Sequence, residues 1–138
     1  MMLKFKFFSH TADIKFRAYG KSLDEVFKNS SYALINSVVD SKIEEKKKLR
    51  VKVKGKDIES LLYNFLEEIL FLIDSKHFFV SKIKNLKIDK KNFKISAEFY
   101  GDNGKNLKVF SHVKAITYSE MFVKKIKNKW ISQVVLDI

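Results

Sequence analysis

Between Ile58 and Ile73 the apolar residues recur at helical spacing: Ile58, Leu61, Leu62, Phe65, Leu66, Ile69, Leu70 and Ile73. The i, i+3, i+4 rhythm places them on one face of an amphipathic helix. Glu59, Asn64, Glu67 and Glu68 occupy the other side. So wide an apolar stripe needs a second layer to cover it. Asp57 stands where an N-cap is expected. A second helix is predicted after Gly20, where Ser22 and Glu25 have the capping-box spacing. Leu23, Val26, Phe27, Leu34 and Val38 then fall near one face.

The remainder reads as strands, at 4–9, 14–19, 49–54, 79–88, 92–100, 107–118, 121–127 and 130–136. Alternation is plain in Val51-Lys52-Val53-Lys54 and in Phe93 to Phe99. Asn128-Lys129 is predicted as a tight hairpin turn before Trp130. Gly101-Asp102-Asn103-Gly104 is predicted as another. The order is two strands, helix, strand, helix, then consecutive strands. That order predicts an α+β fold: a two-layer domain with two helices packed on a mostly antiparallel β-sheet. The chain has no proline, and its only composition shift, Lys42 to Lys56, is too short to separate two domains. Residues 1–138 are therefore expected to form a single domain.

With no cysteine, disulfides, thiolate metal sites and cysteine nucleophiles are excluded together. The same absence fits a reducing compartment, and a cytoplasmic location is expected. No apolar run approaches the roughly 20 residues needed to span a bilayer. Met1 to Phe8, with two lysines in a short strand-like pattern, reads as mature structure rather than a signal peptide. The net charge is +12, which favours polyanions such as RNA. Arg17 and Arg50 are the only arginines, so the surplus consists of hydrated point charges rather than planar forks. The plain alternative is a solvated lysine-rich surface.

Three short stretches carry candidate chemistry. His10-Thr11-Ala12-Asp13 sits between the first two predicted strands, and a carboxylate in such a loop can bind a hard cation. Taken on the residues alone, an Asx-type turn, with Asp13 bonding to nearby backbone, is the plainer reading. Ser9, His10 and Asp13 are too close in sequence to be read as a catalytic triad. The chain reads Val134-Val135-Leu136-Asp137-Ile138 at its end. A carboxylate at the tip of a buried strand, beside a terminal carboxylate, concentrates negative charge that a cation would neutralise. Oxygen donors without cysteine or paired histidines favour calcium or magnesium over zinc. A frayed, solvated terminus is the alternative. Lys114, in Val113-Lys114-Ala115-Ile116-Thr117-Tyr118, is placed to reach a phosphate or an acidic group on a partner, or is one lysine on a strand. No Walker loop, dinucleotide fingerprint or zinc-ligand spacing is present.

Taken together, Ser9 to Ile14 running on to Glu25, Ile58 to Leu70, and Val113 to Tyr118 with Leu136-Asp137-Ile138 resemble the archease family in order and spacing. The resemblance covers nearly the whole chain. It implies a non-catalytic protein, not an enzyme, that serves the GTP-dependent RNA-splicing ligase of tRNA splicing by promoting its guanylylation and multiple turnover. It also implies a metal site at Asp13, Asp137 and the carboxylate of Ile138, with calcium the usual ion and magnesium or manganese as substitutes. Lys114 matches a lysine important for activity in relatives, and His10 belongs to the same loop motif as Asp13. The chain departs from the family in two respects. Ser119 stands where relatives often have histidine, and the strong basicity contrasts with many acidic relatives. The basic charge supports a rival reading, an RNA-binding or chaperone-like module acting on tRNA or tRNA-modifying enzymes. A small hydrolase using Asp13 and His10 is the weakest reading, because no activated nucleophile is visible.

Overall fold

The computed structural model describes residues 3–8, 13–109 and 111–138. The elements run β1 (Phe5–Phe8), β2 (Asp13–Gly20), α1 (Leu23–Asn36), β3 (Lys47–Lys54), α2 (Ile58–Lys76), β4 (Phe79–Asp89), β5 (Lys94–Asp102), β6 (Ala115–Ile126) and β7 (Lys129–Asp137). The order is the predicted one. The strands divide into a four-stranded sheet, β1-β2-β7-β6, and a three-stranded sheet, β3-β5-β4. All the pairings are antiparallel. Both helices contact strands of both sheets. Among the described residues, no helix is long and apolar enough to cross a membrane.

Each helix begins where its capping residues stand. Ser22 Oγ accepts from the Glu25 amide at 3.1 Å. At α2, Asp57 Oδ1 accepts from the Ser60 amide at 2.8 Å, and Ser60 Oγ accepts from the Asp57 amide at 3.1 Å. These contacts satisfy amide donors that have no partner within the helix. The apolar stripe of α2 is buried from Leu61 to Ile73, worth roughly 1.5–3 kcal/mol for each large side chain. Its Phe65 is fully buried, edge-on to Phe99 of β5 at 5.5 Å and tilted against Phe27 of α1 at 6.3 Å. These three rings join two helices and a strand in one continuous core. A buried hydroxyl pair, Ser30 Oγ and Ser132 Oγ at 2.7 Å, ties α1 to β7.

Four expectations are corrected. Residues 107–118 do not form one strand, nor 121–127 another. Among the described residues, the stretch before β6 has a single bridge, Val39 to Val109, as the chain crosses between sheets. β6 instead continues from Ala115 to Ile126 through a large bulge. Thr117 pairs with Val135 and Phe122 with Gln133, so Tyr118 to Met121 all face Val134. The bulge is held by hydrogen bonds from Gln133 Nε2 to the Glu120 carbonyl (2.7 Å) and from Thr117 Oγ1 to the Val135 carbonyl (2.8 Å). The β6–β7 turn is Lys127-Asn128, one residue earlier than predicted, with Ile126 paired to Lys129 and Lys127 at φ 57°.

Gly101 to Gly104 is likewise not a hairpin turn. It ends β5 and sends the chain towards the other sheet. Here the glycines are needed for close approach. A Cβ on Gly101 would strike the Phe79 carbonyl oxygen of β4, and one on Gly104 would enter the Phe79 ring. Gly101→Ala must therefore push β5 away from β4, at an expected cost of about 2–3 kcal/mol. Urea unfolding should show a lower midpoint with an unchanged slope.

The three-stranded sheet buries one face and exposes the other. Its outward rows are Lys48–Tyr100–Lys82, Arg50–Glu98–Lys84, Lys52–Ser96–Lys87 and Lys54–Lys94–Asp89. The Glu98 carboxyl lies below its usual pKa because Asn85 donates to it, followed by its contacts with Lys48 and Arg50. A depressed pKa stabilises the fold fully above the ordinary carboxylate range, and that gain is lost as pH falls through the lowered value. The stability advantage of wild type over Glu98→Gln should accordingly be present at pH 6 and vanish in strong acid, as read from paired melting curves.

Candidate metal centre

The β2–β7 ladder begins with Asp13 directly opposite Asp137. Directly opposed residues of an antiparallel pair point to the same face, with Cβ atoms about 4.5–5.5 Å apart. Ile14 and Leu136, the next pair, point to the other face, where Leu136 is fully buried. The burial of Leu136 fixes which way both aspartates project. The sequence sets this phase: in Ile14-Lys15-Phe16-Arg17-Ala18 alternate residues are apolar, and Phe16 and Ala18 lie in the core. A slip of one residue would bury the charges and expose the core side chains.

On the other side of β7, Asp137 pairs with Ala115 of β6. The Lys114 amide donates to the Asp137 carbonyl at 2.7 Å, which fixes the lysine backbone against the tip of β7. The Lys114 side chain is exposed, as are Asp137 and Ile138. Four of the predicted site residues, Asp13, Lys114, Asp137 and Ile138, thus meet at one end of the four-stranded sheet. His10 lies outside the described residues.

Asp13 and Asp137 bring two carboxylates to this end of the sheet. That chemistry fits a hard cation such as calcium. Among the described residues no group of three His, Cys, Asp or Glu side chains is gathered to hold a metal.

Two neighbours escaped the sequence reading. Lys15 follows Asp13 by two residues on the same face, and its Nζ meets Glu120 Oε1 at 3.0 Å. The spacing of Lys15 was legible as strand alternation. The approach of Glu120 was not, because the bulge delivers it with φ 54°. Tyr118, also on the bulge and 54% exposed, stacks on Tyr63 of α2 with ring centroids 4.1 Å apart and planes within 5°. Partial desolvation raises the pKa of both phenols, and nearby carboxylates add to it. Ser119 is exposed, with its amide donating to Thr117 Oγ1 at 3.2 Å.

The model of the archease protein family matches residues 5–138. Proteins named archease from Pyrococcus abyssi and Sulfurisphaera tokodaii are each 40% identical to the chain, covering 99% of it and 100% of the relative. The solution structure of protein 1598 from Methanobacterium thermoautotrophicum superposes with a TM-score of 0.83 at 32% identity, covering 98% of this chain and 99% of that one. The crystal structure of an archease from Thermotoga maritima, with a TM-score of 0.67 at 18% identity over 96% of each chain, shares the fold. Matched along nearly its whole length by sequence and by architecture, the chain belongs to the archease family.

Proposed function

We propose that this chain is a calcium-binding protein cofactor, itself non-catalytic, that activates the GTP-dependent RNA-splicing ligase of tRNA splicing. The observation that carries the reading is the pairing of Asp13 with Asp137 across β2 and β7. Membership of the archease family supports the choice of the ligase as partner.

Asp13, Asp137 and the Ile138 carboxylate would hold the ion. When bound, calcium (or magnesium or manganese in its place) supplies the positive charge that lets three carboxylates share one sheet end. The chain's own residues do the remaining work. The β2–β7 ladder holds the two aspartates at fixed separation. The Lys114 amide clamps the tip of β7, and the exposed Lys114 ammonium stands ready for an acidic or phosphate group on the ligase side. The Lys15–Glu120 pair braces the same face. Docking of this end beside the ligase active site would favour the guanylylated ligase and repeated turnover.

The test is to add the purified protein to ligase, GTP and RNA with a 2′,3′-cyclic-phosphate or 3′-phosphate end and a 5′-hydroxyl end. Stimulated, multiple-turnover joining is expected, together with faster guanylylation. Absence of any stimulation by the wild-type protein would overturn the proposal.

A further inference from the structure

The two sheets present electrically different outer faces. The four-stranded sheet carries Asp13 and Asp137 at one end, whereas the three-stranded sheet carries eight cationic side chains in its four outward rows. The two carboxylates in those rows are already engaged. Glu98 is held by Lys48, Arg50 and Asn85, and Asp89 by Asn92 in the following turn. Lys52, Lys54, Lys82 and Lys87 make no ion pair among the described residues. All four are exposed.

The pleat spaces these charges regularly. Alternate residues along β3 stand about 6.7 Å apart, and lysines on β3 and β4 are separated by two strand spacings, about 10 Å. The rows from Lys48 to Lys54 extend roughly 20 Å. Near the end of this grid, Tyr100 lies between Lys48 and Lys84, whose ammonium groups are 5.8 and 4.5 Å from its ring centre.

Edge strands commonly carry lysine to block pairing with other chains, and both β3 and β4 are edges. Edge protection calls for charge on each edge, and mixed signs would serve it. It does not account for the same sign on both edges, joined by Lys94 on the central strand, with the face's carboxylates neutralised. Such a field attracts a regularly charged polyanion. The unpaired groups are all lysines, which bind phosphate as point charges without the directional fork of arginine. That favours a phosphodiester backbone, read without regard to sequence, over the irregular charge of an acidic protein surface.

We propose that the outer face of the β3-β5-β4 sheet is a docking surface for the phosphate backbone of RNA. The surface acts separately from the acidic end of the other sheet and requires neither calcium nor the ligase. It goes beyond the cofactor reading and stands or falls independently of it.

The experiment uses the full chain, without ligase or calcium, and a fluorescein-labelled tRNA transcript followed by anisotropy. Binding is expected at low salt. Neutralising four phosphates implies an affinity loss on the order of 10²-fold between about 50 and 200 mM salt. The variant carrying Lys52→Gln, Lys54→Gln, Lys82→Gln and Lys87→Gln should bind at least 10-fold more weakly at low salt, with a salt slope shallower by about 3–4. A control with Lys124→Gln, Lys125→Gln, Lys127→Gln and Lys129→Gln, on the β6–β7 hairpin, removes the same charge and should retain most of the affinity. Circular dichroism verifies that both variants are folded. Equal losses in the two variants would assign the effect to net charge and overturn the proposal. Weak tRNA binding with tighter binding of poly-glutamate would assign the face to an acidic protein and overturn it equally.

Discussion

Asp13→Ala is expected to reduce calcium affinity by about 10–100-fold and to return ligase turnover to the level of the ligase alone. The physical reason is the ladder. Asp13 and Asp137 are opposed, so in the proposed site each would supply oxygens that the other cannot replace. Two unit charges 4 Å apart interact by about 4 kcal/mol at an effective dielectric constant of 20, and tenfold in affinity is about 1.4 kcal/mol. Removing one carboxylate discards some of that attraction, offset by relief of repulsion between the remaining two. Asp137→Asn keeps the shape and removes the charge, and should weaken binding similarly. Extending the chain by a Gly-Ser tail after Ile138 displaces the final carboxylate without altering any side chain, and should weaken binding about tenfold. Calorimetric titration with calcium reads the affinities, and guanylylation and joining assays read the function. Chelation of the wild-type protein should reproduce the Asp13→Ala defect. Undiminished ligase stimulation by Asp13→Ala would separate the ion from activation and sink the proposed mechanism, even if calcium binding fell.

Phe65→Ala is expected to produce the largest loss of stability from one side chain. Phe65 has no exposed surface and contacts the rings of Phe27 and Phe99, so its removal opens a cavity where α1, α2 and β5 converge. Such truncations cost about 3–5 kcal/mol. For a chain of this length that is a large fraction of the total, at roughly 0.05–0.15 kcal/mol per residue. The melting temperature should fall by about 10–20 °C. Calorimetry measures it directly, and a fall of less than about 5 °C would mean that the core relaxes into the space. Phe65→Leu should recover much of the loss, since it restores most of the apolar volume. Phe71, further along the same helix and 49% exposed, provides the contrast: Phe71→Ala should change stability little.

The comparison of these two phenylalanines shows what the amino-acid sequence could establish. Phe65 belongs to the i, i+3, i+4 series and Phe71 does not, so periodicity alone assigned their burial. The helices and their starts at Ser22 and Asp57 were legible for the same reason: caps and amphipathic spacing are local, and their physics involves residues within a few positions of one another. Strand alternation was legible too, but Asp13 read as part of the loop before the second strand, so its sharing a face with Lys15 emerged only when β2 proved to begin at Asp13.

The bulge in β6 was not legible. Its extra residues are stabilised by Gln133 and Val135 on another strand, a dozen or more positions away, and Tyr118 owes its place to a ring on α2. Nor could alternation reveal that the strands divide between two sheets, because a strand's pattern reports which face is buried and not which strand lies beside it. The candidate metal centre spans both kinds of information. The carboxylates at positions 13 and 137 were visible as residue types in suggestive places, far apart along the chain. Only the tertiary register of β2 on β7 sets them opposite each other. That register is dictated by the need to turn Phe16, Ala18, Val134 and Leu136 together into the core, a constraint that exists only once the two strands have met.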